Sequence, residues 1–332
     1  MATLLVIGGT GFFGKSILDF FQRGELSPWN IDRVIVMSRN AKRLASESPS
    51  LLSPAIELLS ADIANTDYLP QADYVIHAAA SSDARKYLLS PLKERINIQA
   101  GVLNYCKLAK SFHQNSKILY VSSGAVYGTQ PENLERISES YSFSDPENVP
   151  QEKSDYTFAK RDAEIAIRQL ASDGLSVSIA RCFSFVGPWL PLDQHFAIGN
   201  FIADGLAGKV ITVNSRHRTY RSYMYADDLV ECMMEIVKNS SPSCHIYNVG
   251  SDVGILIGEL AQIVAHEFGQ VVSVPIISKT RVDRYVPENV KIREILGVNL
   301  KYDLPSAIRA TINAIRNRET YNENSPEWVE LP

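Results

Sequence analysis

The sequence predicts an α/β protein built on a doubly wound parallel sheet, and three observations predict it. Short, nearly continuous Val/Ile/Leu runs recur through the first half of the chain, as in strands covered on both faces. Helical stretches separate them, so consecutive strands are joined by right-handed crossovers. The first run ends in a glycine cluster, IGGTGFFGKS at residues 7–16, where such a sheet turns into its first helix.

Taken in order, TLLVIGG is a buried strand with its turn, followed by RVIVMSR (33–39), DYVIHAAA (73–80), KILYVSS (117–123) and SVSIAR (176–181). Helical patterns fall at 14–23, 91–111 and 154–172, the last stopped by Asp173-Gly174. After about residue 182 the rhythm loosens. A Pro-rich VGPWLPLD precedes a helix in HFAIGNFIADGLAG and another in YADDLVECMMEIVKN. A short strand HIYNVG, a helix in ILIGELAQIVAHEFG and a mixed tail complete the chain. The polar end, ETYNENSPEWVELP, is expected to be loosely held.

The 332 residues leave room for roughly two domains and a sizeable core, with 45% apolar and 21% charged residues as in an ordinary soluble protein. A net charge of −4 and the absence of a long basic run argue against nucleic acid as a partner. Cys106, Cys182, Cys232 and Cys244 form neither a C-x-x-C pair nor a metal-ligand spacing, so no metal is expected. No apolar run is long enough to span a bilayer, and LLVI is too short for a signal-peptide core. These features predict a cytoplasmic protein without a membrane partner.

The glycine cluster fits two motifs. Gly9, Gly14, Lys15 and Ser16 match the triphosphate loop, whereas Gly9, Gly11 and Gly14 match the dinucleotide turn; Gly8, Gly11 and Gly14 give a related spacing. A triphosphate site needs an Asp closing a later apolar strand to hold Mg²⁺. The later strands close with Ala-Ala, Ser-Ser or Arg, and Phe12 and Phe13 are bulky for a loop that wraps phosphates. The dinucleotide reading is therefore preferred, with Lys15 a solvated first-turn residue and the pyrophosphate at a helix N-terminus.

Downstream, YTFAK puts Tyr156 and Lys160 one turn apart on one helix face. An adjacent ammonium favours the phenolate, and so predicts an acidified Tyr156. The preceding strand tip offers Ser122 and Ser123, and the carboxyl ends of the strands would bring all of these into one crevice. The second strand ends MSRN, with no acid for a ribose 2′-hydroxyl. Ser38 and Arg39, with Lys42 and Arg43 nearby, suit the 2′-phosphate of NADP, with NAD as the alternative.

With these motifs and NIQAGVLNYCKLA, YVSSGAVYG, RCFSFVGP, RSYMYADDL and YNVG in order, the chain resembles the extended short-chain dehydrogenases/reductases of the NAD-dependent epimerase/dehydratase family that act on nucleotide sugars. The resemblance implies a Rossmann-type domain at 1–182, rejoined by about 219–249. A smaller, discontinuous C-terminal domain, about 183–218 and 250–332, would bind the nucleotide-diphosphate sugar. It implies Tyr156 as general acid/base, Lys160 tuning it and holding the nicotinamide ribose, Ser123 bonding the reacting oxygen, and Asn97 supporting proton transfer. Gly8, Thr10, Gly11, Phe12, Phe13 and Gly14 would contact the cofactor, as would Asp62, Ile63, Ala78, Ala79, Ala80, Val121 and Phe183. Ser122, Ser184, Asn200, Arg221 and Arg281 or Arg284 would face the substrate. Helices near 96–110 and 154–170 would pair two subunits into a homodimer.

The family's dehydratases place Asp-Glu just after the reactive hydroxyl, and its decarboxylases carry a Glu near there. Gly124 and Ala125 stand at those positions, which disfavours both reactions. A 4-keto sugar reductase using NADPH and a 4-epimerase with tightly bound NAD(P) remain. MSRN favours the reductase, because a reductase exchanges its cofactor at every turnover. A non-catalytic NADP-binding scaffold is the third possibility, disfavoured by the presence of both Tyr156 and Lys160.

Overall fold

The apolar runs pair edge to edge into one seven-stranded parallel sheet in a computed structural model that describes residues 1–80, 89–194 and 196–324. Its strands are β1 (Ala2–Ile7), β2 (Ile31–Ser38), β3 (Ile56–Ser60), β4 (Tyr74–His77), β5 (Lys117–Ser123), β6 (Ser176–Cys182) and β11 (His245–Val249). They lie in the order β11-β6-β5-β4-β1-β2-β3. The order reverses between β1 and β4, so a crevice opens beyond their carboxyl ends.

Among the described residues the α-helices are α1 (Phe12–Gln22), α2 (Leu44–Glu47), α3 (Pro91–Phe112), α4 (Gln151–Ser172), α5 (Ala197–Leu206), α6 (Ala226–Lys238), α7 (Ile257–Phe268), α8 (Val290–Leu296) and α9 (Leu304–Asn324). Ile17 and Leu18 of α1 and Leu229 and Met233 of α6 close over Leu4, Val6, Val36 and Leu119. On the other face, Val102 and Tyr105 of α3 and Ala163 and Ile167 of α4 close over Leu5, Ile7, Val75 and Ile118. The two sets come from alternate residues of the same strands, which explains why the runs read as continuously apolar.

One strand of this sheet escapes the sequence reading. β3, IELLS, lies at the sheet edge with its residues partly buried or exposed, so Glu57 interrupts its apolar pattern. The expected mixed tail also contains a long helix: Ala307, Ile308, Ile312 and Ile315 of α9 are buried in the C-terminal core with Leu260 and Val264 of α7 and Phe201 and Ile202 of α5. The last eight positions of the loosely held end, 325–332, lie outside the described residues.

Short strands complete the C-terminal part. β7 (Phe185–Val186) pairs with β10 (Met224–Tyr225), and β8 (Ile211–Thr212) with β13 (Val272–Ser273). β12 (Ile255–Leu256), β9 (His217–Arg221) and β14 (Ser278–Tyr285) form a three-stranded sheet. Parallel pairing of β9 with β14 sets Arg221 beside Tyr285 and Thr219 beside Asp283.

Behind the strand tips, α4 is fastened to the sheet by a buried ion pair. Arg181 Nη2 lies 2.7 Å from Glu164 Oε2, and both side chains are 5% exposed. Ser122 Oγ donates to Glu164 Oε1 at 2.6 Å. Ser122 is thus turned into the core beneath α4 and away from the crevice, contrary to its expected substrate contact.

Candidate active site

The glycine loop has the shape of a cradle. Gly8 has φ +86°, and a Cβ there would lie 2.7 Å from the Ala79 backbone, so the loop rests directly on the Ala78-Ala79 turn after β4. A Cβ at Gly14 would lie 2.1 Å from the Gly9 carbonyl oxygen, so α1 can begin this close to the loop only with glycine. Gly11 is the N-cap of α1, no side chain caps it, and the first turn carries no acid. Its open N–H groups and positive dipole end suit an anion.

The bulk of Phe12 and Phe13 does not obstruct the loop. Their rings turn away and pack on Phe185 with centroids 6.3 and 5.5 Å apart, respectively. Lys15 is not solvated as expected: it is half-buried with its ammonium 5.6 Å from the Trp189 ring. Burial pushes that ammonium below its ordinary value.

At the end of β2, Thr10 Oγ1 and Ser38 Oγ are 3.0 Å apart. Arg39 and Lys42 are exposed, whereas Arg43 is paired with Glu47. Asp62 orders its own loop, accepting from the Ala64 N–H at 3.1 Å and from Asn65 Nδ2 at 3.3 Å. Ile63 is buried and packs on Gly101 of α3. Ala80 follows as an exposed residue at the end of the β4 turn.

Ser123 closes β5, and its Oγ accepts from the Ala125 N–H at 3.1 Å. The Tyr156 hydroxyl interacts with this serine. Burial pushes the Tyr156 phenol up to about 12, outweighing the Ser123 contact. The expectation of an acidified phenol is therefore corrected: this tyrosine keeps its proton at neutral pH. Lys160 does not offset this, because its Nζ points to the sheet. It donates to the Val121 carbonyl at 2.9 Å and to the Tyr120 hydroxyl at 3.3 Å, 6.0 Å from the Tyr156 ring centroid. Burial lowers the Lys160 ammonium to about 8, with Cys182 and Glu164 opposing.

Arg221 Nη2 contacts Asp283 Oδ2 at 2.7 Å, and although burial opposes ionisation, Arg221 holds the Asp283 carboxyl below its usual range. Arg281 adds to that field and shares the strand face of Asp283 and Tyr285 by alternation. Arg284 takes the opposite face: its Nε donates to the Glu132 carbonyl at 3.1 Å and its guanidinium lies 4.1 Å from the Tyr220 ring centre. Asn200 is exposed on α5. Phe183 is buried, and its N–H donates to the Val249 carbonyl at 3.0 Å; the Ser184 carbonyl accepts from the Met224 N–H at 3.1 Å. Asn97 is exposed on α3, and no hydrogen bond joins it to Tyr156, Lys160 or Ser123 among the described residues.

Two phenols at the site were missed. The Tyr285 hydroxyl lies 3.3 Å from Ser123 Oγ and its ring is 4.6 Å from that of Phe183. Its signal was available: period-two alternation in TRVDRY puts Tyr285 on the face of Arg281 and Asp283. Tyr120, two residues before Ser122, read as a core strand residue, and nothing in the local sequence shows its contact with Lys160.

A family model described as "NAD dependent epimerase/dehydratase family" matches residues 4–250. The chain belongs to this family. As an NAD dependent epimerase/dehydratase family member it is an NAD(P)-dependent enzyme. It is 28% identical over 322 residues to UDP-glucuronic acid decarboxylase 1 of Arabidopsis thaliana, covering 95% of this chain and 70% of that protein. To the decarboxylase 6 of the same plant it is 28% identical over 311 residues, covering 91% and 86% of the two chains. Among solved structures, a dTDP-glucose 4,6-dehydratase from Streptomyces venezuelae with NAD bound superposes with a TM-score of 0.80 at 21% identity, covering 96% of this chain and 98% of that one. A UDP-glucose 4-epimerase from Thermotoga maritima with UDP-glucose gives a TM-score of 0.77 at 21% identity, covering 96% and 99%. These structural likenesses establish the fold.

The loop of this family member fits a dinucleotide on its own geometry. Glycines stand where any Cβ would strike backbone, and an uncapped helix end faces the crevice. Among the described residues no cluster of His, Cys, Asp and Glu could hold a metal, and no helix is long and apolar enough to cross a membrane.

Proposed function

We propose that this protein reduces a 4-keto nucleotide sugar with NADPH. The observation that carries the reading is a half-buried Tyr156 whose phenol keeps its proton beside Ser123, with no acid at the two positions after that serine. A bound nicotinamide would supply the hydride. Tyr156 would give its proton to the C4 oxygen as negative charge develops there, and Ser123 would donate a second hydrogen bond to that oxygen. Asn97 would join proton recovery only if a bound cofactor brought it into contact.

Dehydration and decarboxylation in this family call on acids where Gly124 and Ala125 stand. The structure adds a steric reason: a Cβ at Gly124 would lie 2.6 Å from the Phe183 ring. The curated relatives named decarboxylases therefore share the fold and family more closely than this local chemistry.

Arg39 and Lys42, exposed at the end of β2 with Ser38 in place of an acid, favour the 2′-phosphate of NADP. Arg221, Arg281 and Asn200 are proposed to hold the diphosphate. A cavity of about 200 Å³ lined by Val213, Ser215, His217, Thr219, Val274 and Ile277 is proposed to take the nucleoside, since His217 and Thr219 alternate onto the strand face of Arg221. The cofactor-binding part is proposed to span 1–182 and about 219–249.

With a 4-keto nucleotide sugar, NADPH absorbance should fall in proportion to sugar reduced, and NADH should serve about tenfold less well or worse. Interconversion of 4-epimers without net NADPH loss would replace this reading with the epimerase. Turnover of no sugar nucleotide would favour the scaffold.

A homodimer is also proposed. Leu92, Ile96 and Leu103 of α3 and Ile165 of α4 are exposed on two helices that lie side by side. Light scattering at micromolar concentration should give twice the chain mass; the monomer mass would refute the pairing.

A further inference from the structure

Lys160 is a buried cation with an unusual set of neighbours. Glu164, one turn along the same helix, is committed to Arg181 and Ser122 and gives Lys160 no direct contact. Cys182 faces it from β6, His77 from β4, Tyr120 from β5, and Tyr156 from its own helix. His77 is fully buried, and neither ring nitrogen has a hydrogen-bond partner. Burial first, and then the Lys160 charge, push its imidazole down to about 3, so it stays neutral and adds no second positive charge. The ammonium therefore depends on two oxygens, the Val121 carbonyl and the Tyr120 hydroxyl. Tyr120 also places its ring 5.0 Å from the nitrogen, in range for a cation–π contact. Of the three N–H donors, two are taken, by Val121 and Tyr120, and one remains.

We propose that Tyr120 is a positioning residue that tethers the Lys160 ammonium to the sheet and keeps it charged, so that its remaining donor points at the crevice. The inference rests on the assignment of Tyr156 and Lys160 to the reaction, but its tether is measurable without turnover. A phenol oxygen facing a buried ammonium stabilises the charged form, so its removal lowers the pH at which Lys160 gives up its proton. If reduction needs the charged lysine, activity falls above that pH, and loss of the hydroxyl moves this limb downward.

The test is Tyr120→Phe, which keeps the ring against His77. Lysine carrying a ¹³Cε label, assigned with Lys160→Met, should show Lys160 titrating near 8 in the parent, the value burial gives it. In Tyr120→Phe the titration should fall by about one pH unit or more. The high-pH limb of kcat/KM should move by the same amount, with the rate well below the limb kept. A purely structural tyrosine would lower stability and leave both titrations in place, and that result would overturn the proposal. Should Phe at 120 fold poorly, Tyr120→Met fills the space flexibly and decides by the same shift. A shifted NMR titration in a protein that reduces no sugar nucleotide would uphold the tether while refuting the functional reading.

Discussion

Tyr156→Phe is expected to cut reduction of a 4-keto nucleotide sugar by about 10²–10⁴-fold, the usual contribution of a positioned acid. The variant loses one oxygen and keeps its ring packed against the sheet. NADPH affinity, measured by fluorescence titration, should stay within about twofold because Lys160 and the glycine loop are untouched. The reason for so large an effect lies in protonation state. Burial holds the phenol up to about 12, so at neutral pH nearly every molecule carries the proton that the C4 oxygen needs. Ser123 could still donate one hydrogen bond but cannot complete the transfer as an acid of suitable strength. A kcat near the parent value would assign the proton to another group, and Tyr285, 3.3 Å from Ser123, would be the first to test.

The second large effect concerns stability. Glu164→Ala should destabilise the protein by about 3–5 kcal/mol, because it strands the Arg181 guanidinium in a site where both partners are nearly inaccessible. It also removes the acceptor of Ser122, leaving a buried hydroxyl without its carboxylate. Urea denaturation should show a lower midpoint, and Glu164→Gln should lose less because an amide oxygen still accepts from Arg181. A midpoint unchanged in Glu164→Ala would mean that α4 is held to the sheet by its apolar face alone. The pair holds Ser122, the neighbour of Ser123, so catalytic losses in Glu164→Ala should be read at temperatures where the variant is folded.

Much of the fold was legible because buried parallel strands advertise themselves as unbroken apolar runs. β1, β2, β4, β5 and β6 all have this form. β3 does not, since an edge strand buries little and tolerates Glu57. α9 was missed for a related reason: its polar face dominates the composition, while Ala307, Ile308, Ile312 and Ile315 carry its packing. In the site, motif spacing picked out Ser123 and Tyr156, which interact, and the glycine loop at the end of a strand of the same sheet. Spacing could not tell which way a strand-end hydroxyl points, and Ser122 and Ser123, adjacent in sequence, face opposite environments. It also could not give protonation. A turn of helix puts Lys160 near Tyr156 in every such motif, but only the fold shows its ammonium committed to Val121 and Tyr120 while burial dominates the phenol. Arg281 and Arg284 were indistinguishable as charges. The strand β14 separates them onto opposite faces.

The most direct measurement follows one atom. With NADPH carrying deuterium at both C4 positions of the nicotinamide and an unlabelled 4-keto nucleotide sugar, mass spectrometry and NMR should find one deuterium at sugar C4 for each NADPH consumed. A C4 hydrogen drawn from the sugar itself, or product formed without deuterium, would contradict net reduction at this site.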